Sequence, residues 1–127
     1  KDVKRVVLCS GKVYFDLLEE RDKRNAMDTY LLRLEQLYPF PSRALEKELE
    51  RFKHADIVWC QEEPKNMGAW FFVNPLIEQV MLDLRMKQTR PGYAGRASAA
   101  APATGLFKRH LTEQSTLVDA ALTYERE

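Results

Sequence analysis

The stretch ADIVWCQEEPKNMGAW, residues 55–70, contains the pattern that decides the fold. It opens with the apolar run IVWC, continues through the polar triplet 61–63, and then enters a turn that contains proline, asparagine and glycine. A short continuous apolar run bounded by turn residues is typical of a strand that is buried on both faces. Aromatic residues and helical spacing follow Gly68, so the stretch predicts a strand, a turn and a helix in that order.

The same alternation of strand and helix patterns extends in both directions along the chain. Apolar runs predict three further strands, the last of them short and set in a loop rich in Gly, Ala, Ser and Pro: 4–11, 29–34 and 93–96. Helical spacing of apolar residues predicts four helices: 12–25, 42–54, 69–88 and 106–122. Strands that alternate with helices favour an α/β domain, with a mostly parallel sheet between two helical layers.

The composition limits the possible functions. The chain has 127 residues, which is enough for one domain with a real core and too few for two. Its net charge of +1 gives no electrostatic reason to expect nucleic acid or an anionic membrane as a partner. No apolar run approaches the roughly 20 residues of a membrane span. The chain starts at Lys1 without methionine, just before a predicted strand, and we therefore expect an excised piece of a longer protein.

The two cysteines, Cys9 and Cys60, each lie inside an apolar run. The sequence has no CxxC pattern, and two cysteines in a chain of this size are not a disulfide framework. We therefore expect two buried free thiols rather than a redox or metal-binding pair.

Polar residues follow the predicted strands, at the edge of the sheet where open α/β domains place their ligand sites. Three segments meet at this edge: Ser10-Gly11, Glu35-Gln36 and the triplet 61–63. Neighbouring side chains of an extended strand point to opposite faces, so Glu62 and Glu63 are not expected to act together on one substrate atom. A metal site is not expected either, because His54 is the only histidine within twenty residues of these carboxylates.

The triplet has a structural interpretation instead. We expect its carboxylates to accept hydrogen bonds from the turn amides of 65–69, or to pair with an arginine of this or another domain. Trp70 belongs to an apolar patch, AWFF (69–72), which is dense for a surface turn. This patch either packs beneath the last helix or contacts protein outside this chain.

A second candidate site consists of groups that can bind an anion. Ser10 and Gly11 precede a predicted helix, whose N-terminus favours negative charge, but the fingerprint GxGxxG is missing. Arg96, Lys108 and Arg109 flank the Gly/Ala-rich segment. These basic residues can receive a phosphate or can simply form a solvated rim.

Four motifs in order give the chain a specific family resemblance. They are VVLCSGKVYFDLLEER (6–21), LLRLEQLYPFP (31–41), WCQEEPKNMGAW (59–70) and YAGRASAAAPATG (93–105), the last followed by a histidine. Together they closely resemble the C-terminal domain of the E1 component of 2-oxoglutarate dehydrogenase, over nearly the whole chain. One departure is Ala97, which stands where a proline often follows the Gly-Arg pair.

The resemblance implies a fold, and an activity of the parent enzyme. The fold is a three-layer α/β/α arrangement like the transketolase C-terminal domain, with a mixed sheet whose first strand is antiparallel to the rest. The parent uses thiamine diphosphate and magnesium to decarboxylate 2-oxoglutarate, and passes the succinyl group to the lipoyl arm of dihydrolipoyl succinyltransferase, E2. It is a homodimer whose cofactor lies between domains that precede this one.

The resemblance therefore implies that residues 1–127 are a single non-catalytic domain that holds the E1 structure together. This chain would supply no catalytic, cofactor or metal residue and would be inactive alone, with the other E1 domains, the second E1 chain and E2 as its partners. The compartment would be a bacterial cytoplasm or the mitochondrial matrix. The candidate bracing or interface residues are Gln61, Glu62, Glu63 and Trp70. The alternative is a regulatory domain that binds a nucleotide or acetyl-CoA through Ser10, Arg96, Lys108 and Arg109.

Overall fold

The computed structural model describes residues 3–98 and 107–123, with only the backbone of 107–110. Strands and helices alternate through this part of the chain in the predicted order. The strands are β1 (Arg5–Cys9), β2 (Thr29–Arg33), β3 (Asp56–Pro64) and β4 (Gly92–Arg96). The helices are α1 (Val13–Arg24), α2 (Ser42–Leu49), α3 (Trp70–Asp83) and α4 (Phe107–Leu122), with a 3-10 turn, Glu50–Phe52, after α2.

The strands form one sheet in the order β2-β1-β3-β4, and every pairing among the described strands is parallel. Because a helix follows each strand, the chain can return to the same end of the sheet before the next strand begins. The predicted α/β class with a mostly parallel sheet is confirmed. The antiparallel first strand implied by the family resemblance is not among the strands described here.

Helices cover both faces of the sheet, which gives the predicted three layers. Successive side chains of β1 alternate between the faces: Val6 and Leu8 belong to one core, whereas Val7 and Cys9 belong to the other. The first core is completed by α2 and α3, and the second by α1 and α4. All five residues of β1 are buried, as expected for a central strand covered on both sides.

The helix boundaries differ from the sequence prediction at two places. Helix α2 begins at Ser42, as predicted, but ends at Leu49 rather than continuing to 54, because the chain tightens into the 3-10 turn Glu50–Phe52. Helix α3 ends at Asp83 rather than continuing to 88, because Arg85 adopts a left-handed conformation with φ of 59°. The Met86 N–H then donates to the Met81 carbonyl at 3.1 Å, which closes the helix without the usual glycine.

Both cysteines are buried free thiols, as predicted. Cys9 and Cys60 are register partners on the adjacent strands β1 and β3, in the middle of the sheet. Burial raises the pKa of Cys9 to about 12, although the nearby Arg33 opposes this effect. Burial also raises the pKa of Cys60. Among the residues that the structure describes, no helix is both long enough and apolar enough to span a membrane.

Candidate functional site

The polar triplet lies where β3 continues past its neighbour. Cys9 is the last residue of β1 and pairs with Cys60, whereas β3 runs on to Pro64. The register between β3 and β4 also shifts between Cys60 and Pro64, where Pro64 pairs with Arg96. Residues 61–63 therefore occupy the carboxyl edge of the sheet, the place that the sequence predicted.

Gln61 is the centre of the hydrogen-bonding network at this edge. Only 3% of the residue is exposed. Its Oε1 accepts from the indole N–H of Trp59 at 2.9 Å. Its Nε2 donates toward the carbonyl oxygens of Pro64 and Met67, both at 2.9 Å, and lies 3.1 Å from the carbonyl of Glu63. One buried amide thus satisfies carbonyls from both sides of the turn and fixes the turn against the end of the strand.

Gly68 closes the turn in a conformation that other residues rarely adopt. Its φ is +65°. A Cβ at this position would lie 2.9 Å from Glu63 Oε1 and 3.1 Å from Gln61 Nε2. The side chains of Gln61 and Glu63 therefore fill the space beside Gly68, and α3 begins two residues later.

The two carboxylates of the triplet diverge, as expected for neighbours on a strand. Glu62 Oε1 accepts a hydrogen bond from Lys12 Nζ at 2.8 Å, next to the start of α1. This hydrogen bond holds the pKa of the Lys12 ammonium above its ordinary value. Glu63 lies on the other side, against Gly68. The sequence led us to expect an arginine or a turn amide as the partner of Glu62, and the observed partner is a lysine.

Trp70 and the phenylalanines after it separate into a buried and an exposed group. Trp70 is buried, and its ring centroid lies 5.1 Å from that of Tyr93 on β4. The Tyr93 hydroxyl donates to the Arg96 carbonyl at 2.7 Å, and burial raises the pKa of Tyr93 to about 12. Trp70 therefore joins α3 to the sheet, whereas Phe71 and Phe72 face outward.

The candidate anion-binding residues are distributed over separate elements. Ser10 follows β1 and is half-buried, whereas Arg96 ends β4, with β3 between the two strands. The Arg96 guanidinium is engaged by α4, with Nε 3.4 Å from Glu113 Oε1 and Nη2 3.4 Å from Gln114 Oε1. The side chains of Lys108 and Arg109 lie outside the described residues. The anion site therefore stays a prediction.

Sequence reasoning missed three contacts at this edge. Trp59 and Gln61 are two residues apart on one strand, so the period of a strand places them on the same face and could have indicated their pairing. The contacts of Glu62 with Lys12 and of Trp70 with Tyr93 depend on which strands are neighbours. No local pattern in the sequence carries that information.

The described residues at this edge offer little for binding a metal or a diphosphate. Within the described ranges, no three His, Cys, Asp or Glu side chains are grouped so that they could hold a metal ion. The space beside Gly68 is filled, and Gly11, which does have open space beside it, is a single glycine rather than a diphosphate fingerprint. These residues therefore do not fit a magnesium–diphosphate cofactor.

Comparison with known proteins gives a consistent result. The model of a family described as "2-oxoglutarate dehydrogenase C-terminal" matches residues 1–122. The 2-oxoglutarate dehydrogenase E1 component of Brucella anthropi is 59% identical over 120 residues, which cover 94% of this chain and 12% of that protein. The proteins of the same name from Brucella ovis and Brucella canis give the same values. The chain thus spans about 12% of the length of these curated relatives.

Proposed function

The chain belongs to the 2-oxoglutarate dehydrogenase C-terminal family, and on this basis we propose that it is a structural and assembly domain of an E1 component. In this proposal residues 1–127 form one domain that does no chemistry itself. It stabilises the E1 chain and its homodimer, and it works in the cytoplasm of a bacterium or in a mitochondrial matrix.

The observation that supports this proposal is the use of the polar groups at the carboxyl edge. In an enzyme built on such a sheet, these groups would point toward a substrate. Here the Gln61 amide is occupied by the turn and by Trp59, and Glu62 is occupied by Lys12. A site whose polar groups are satisfied internally holds elements together and leaves little for catalysis.

The activity of the parent enzyme is part of the proposal. The complete E1 would decarboxylate 2-oxoglutarate with thiamine diphosphate and magnesium, and would pass a succinyl group to the lipoyl arm of E2 within the tricarboxylic acid cycle. Because the described residues do not fit that cofactor, its ligands would come from other E1 domains. The remaining E1 domains, the second E1 chain and E2 would be the partners.

Calorimetric titration of the 127-residue chain with thiamine diphosphate and magnesium tests the non-catalytic part of the proposal. We expect no heat of binding. Stoichiometric tight binding would place a complete cofactor site within these residues and would contradict the proposal. Titration with inorganic phosphate and with AMP in the same experiment tests the regulatory alternative, for which we expect no binding either.

Removal of the domain from a complete E1 tests the assembly role. We expect the shortened E1 to lose its dimer in analytical ultracentrifugation and, with it, succinyl transfer to E2. The same E1 carrying Gln79→Leu, a change on the exposed side of α3, serves as the control and should remain dimeric. A shortened E1 that stays dimeric and active would show that the domain has no assembly role.

A further inference from the structure

The exposed apolar side chains of the domain are concentrated at one edge. Seven large hydrophobic residues are exposed in the described part of the chain. Five of them lie in the connection that follows a strand or within the first five residues of the helix after that connection: Phe15, Tyr38, Phe71, Phe72 and Leu111. In a parallel sheet the chain leaves every strand at the carboxyl edge, so side chains contributed by four separate connections lie at that edge.

The position of α4 fits this arrangement. Arg5 at the start of β1 donates to the carbonyl oxygens of Ala120 and Ala121, which places the end of α4 at the amino edge. Helix α4 therefore begins at the carboxyl edge, and Leu111 lies there. The two other exposed apolar residues lie at the opposite end: Met27 just before β2, and Leu82 near the end of α3.

Helix α3 contributes most to this surface and carries little charge. Glu78 is the only charged residue between Lys65 and Asp83, although 31% of the whole chain is charged. An exposed helical face in water normally carries several charged side chains. The first turn of α3 instead exposes Phe71 and Phe72 side by side, which indicates a surface that other parts of a larger protein cover.

A cation lies at the same edge. The Arg33 guanidinium at the end of β2 lies 5.1 Å from the Phe15 ring centroid and 5.7 Å from that of Tyr14. Among the described residues its buried Nε has no hydrogen-bond partner, and the Glu35 carboxylate lies 3.9 Å from its Nη1. Arginine stacked on aromatic rings is typical of the residues that dominate protein interfaces, and it favours a partner with an acidic group.

We propose that these six residues, Phe15, Arg33, Tyr38, Phe71, Phe72 and Leu111, form a carboxyl-edge surface that docks on the preceding part of the same E1 chain. The partner surface is apolar and places an acidic side chain over Arg33. This inference rests on the proposed function. The same chain is the favoured occupant because the curated relatives carry this domain as only 12% of their length. A covalently attached partner is present at a high effective concentration, so a free partner must bind more tightly to displace it.

A pair of matched variants in the complete E1 tests this docking. Phe71→Glu adds a charge to the carboxyl-edge surface, and Met27→Glu adds the same charge at the amino edge, where the residue is equally exposed at 62%. A glutamate in the first turn of α3 is favourable for the helix itself, so the domain should still fold. We expect Phe71→Glu to accelerate hydrogen exchange of amides in 34–41 and 64–72 by about tenfold, as for the loss of one strong interface contact.

Tyr38→Ser provides an independent test on a different connection. Tyr38 is 82% exposed and lies between β2 and α2, so the substitution removes little from the isolated domain. If the carboxyl-edge surface is one interface, Tyr38→Ser should increase exchange in 64–72 as well as in its own loop. Met27→Glu should change neither segment, and all three E1 variants should remain dimeric.

Several outcomes would overturn the proposal. If neither Phe71→Glu nor Tyr38→Ser changes hydrogen exchange, nothing docks on the carboxyl-edge surface. If Phe71→Glu and Met27→Glu have equal effects, the carboxyl edge has no special role. Dissociation of E1 by Phe71→Glu would identify a second copy as the occupant, and loss of E2 binding alone would identify E2. If removal of the domain abolishes the dimer while Phe71→Glu changes nothing, the assembly role stands and only the docking surface is wrong.

Discussion

At the scale of single residues, the side chain of Gln61 makes contacts that neither an apolar nor a charged residue could make. Its oxygen accepts from Trp59 and its nitrogen donates to turn carbonyls, so both ends of a neutral amide are used inside the protein. A glutamate would lose the donor, and a leucine would lose both. Buried polar groups left without partners cost about 1–3 kcal/mol each, so the residue type at this position is strongly constrained.

Gln61→Leu should therefore destabilise the chain through the turn that it fixes. We expect the free energy of unfolding to fall by about 2–4 kcal/mol, because the Trp59 indole and the turn carbonyls lose their partner. Urea unfolding followed by tryptophan fluorescence measures the change. Gln79→Leu removes an exposed glutamine that donates a hydrogen bond to Asp83, and it should change stability by less than about 0.5 kcal/mol. Similar losses for the two variants would contradict the central role of Gln61.

At the scale of elements, one arginine connects three of them. Arg5 at the start of β1 donates to Asp56 at the start of β3, and to the carbonyl oxygens of Ala120 and Ala121 at the end of α4. The last carbonyls of a helix have no partner within the helix, and a cation there also complements the helix dipole. Arg5 therefore fastens the last helix to the amino edge of the sheet.

Arg5→Met should loosen α4 more than the rest of the domain. The substitution keeps an unbranched apolar stem and removes the guanidinium donors, which leaves the Asp56 carboxylate and two helix carbonyls without this partner. Because Asp56 is partly exposed, we expect a loss of about 2 kcal/mol, below the value for a fully buried pair. Hydrogen exchange should increase first in the amides of 117–122.

The control for this substitution is Arg51→Met. Arg51 pairs with Glu48 and donates to the Tyr30 hydroxyl on an exposed side of the domain, so its loss should leave α4 unchanged. An Arg5→Met variant whose exchange rises equally in α2 and α4 would show that Arg5 stabilises the fold as a whole rather than fastening α4.

At the scale of the whole molecule, the sheet separates two cores, and its carboxyl edge carries the exposed apolar residues. The core between the sheet and helices α1 and α4 contains both thiols, on the neighbouring central strands β1 and β3. Covering the sheet on both faces makes these strands inaccessible to water, which suppresses thiolate formation. The burial of Cys9 and Cys60 is thus a property of the complete three-layer arrangement.

This burial predicts that stability falls at alkaline pH. Burial raises the pKa of Cys9 from about 9 in the unfolded chain to about 12 in the folded chain, so between these values the unfolded chain releases a proton that the folded chain retains. Stability is therefore full below about pH 9 and declines toward pH 12, by about 1.4 kcal/mol per pH unit for this thiol. Urea unfolding of the reduced chain at pH 8 and pH 10.5 measures the slope. Cys9→Ala should make the slope shallower by about that amount, and an unchanged slope would contradict the assignment.

The sequence determined the order of the elements and most of their bounds, because the hydrophobic periods of strands and helices are local. It also determined that the triplet 61–63 would lie at the carboxyl edge, because a parallel strand that ends in a turn leaves its last residues there. Gly68 and the apolar run before it were sufficient for this inference. The end of α3 could not be predicted in this way, because the left-handed residue there is Arg85 and an arginine carries no local signal for a helix end.

Only the tertiary structure decided which side chains meet across the sheet. The contacts of Lys12 with Glu62, of Trp70 with Tyr93 and of Arg5 with Ala121 join residues that are far apart in sequence. They depend on strand order and register, which result from packing both faces of the sheet at once. The same packing buries Trp70 and leaves Phe71 exposed, although the sequence shows one continuous apolar run. Local periodicity therefore specified the helices and strands of this domain. Long-range packing specified the contacts at the carboxyl edge and the side chains that remain exposed there.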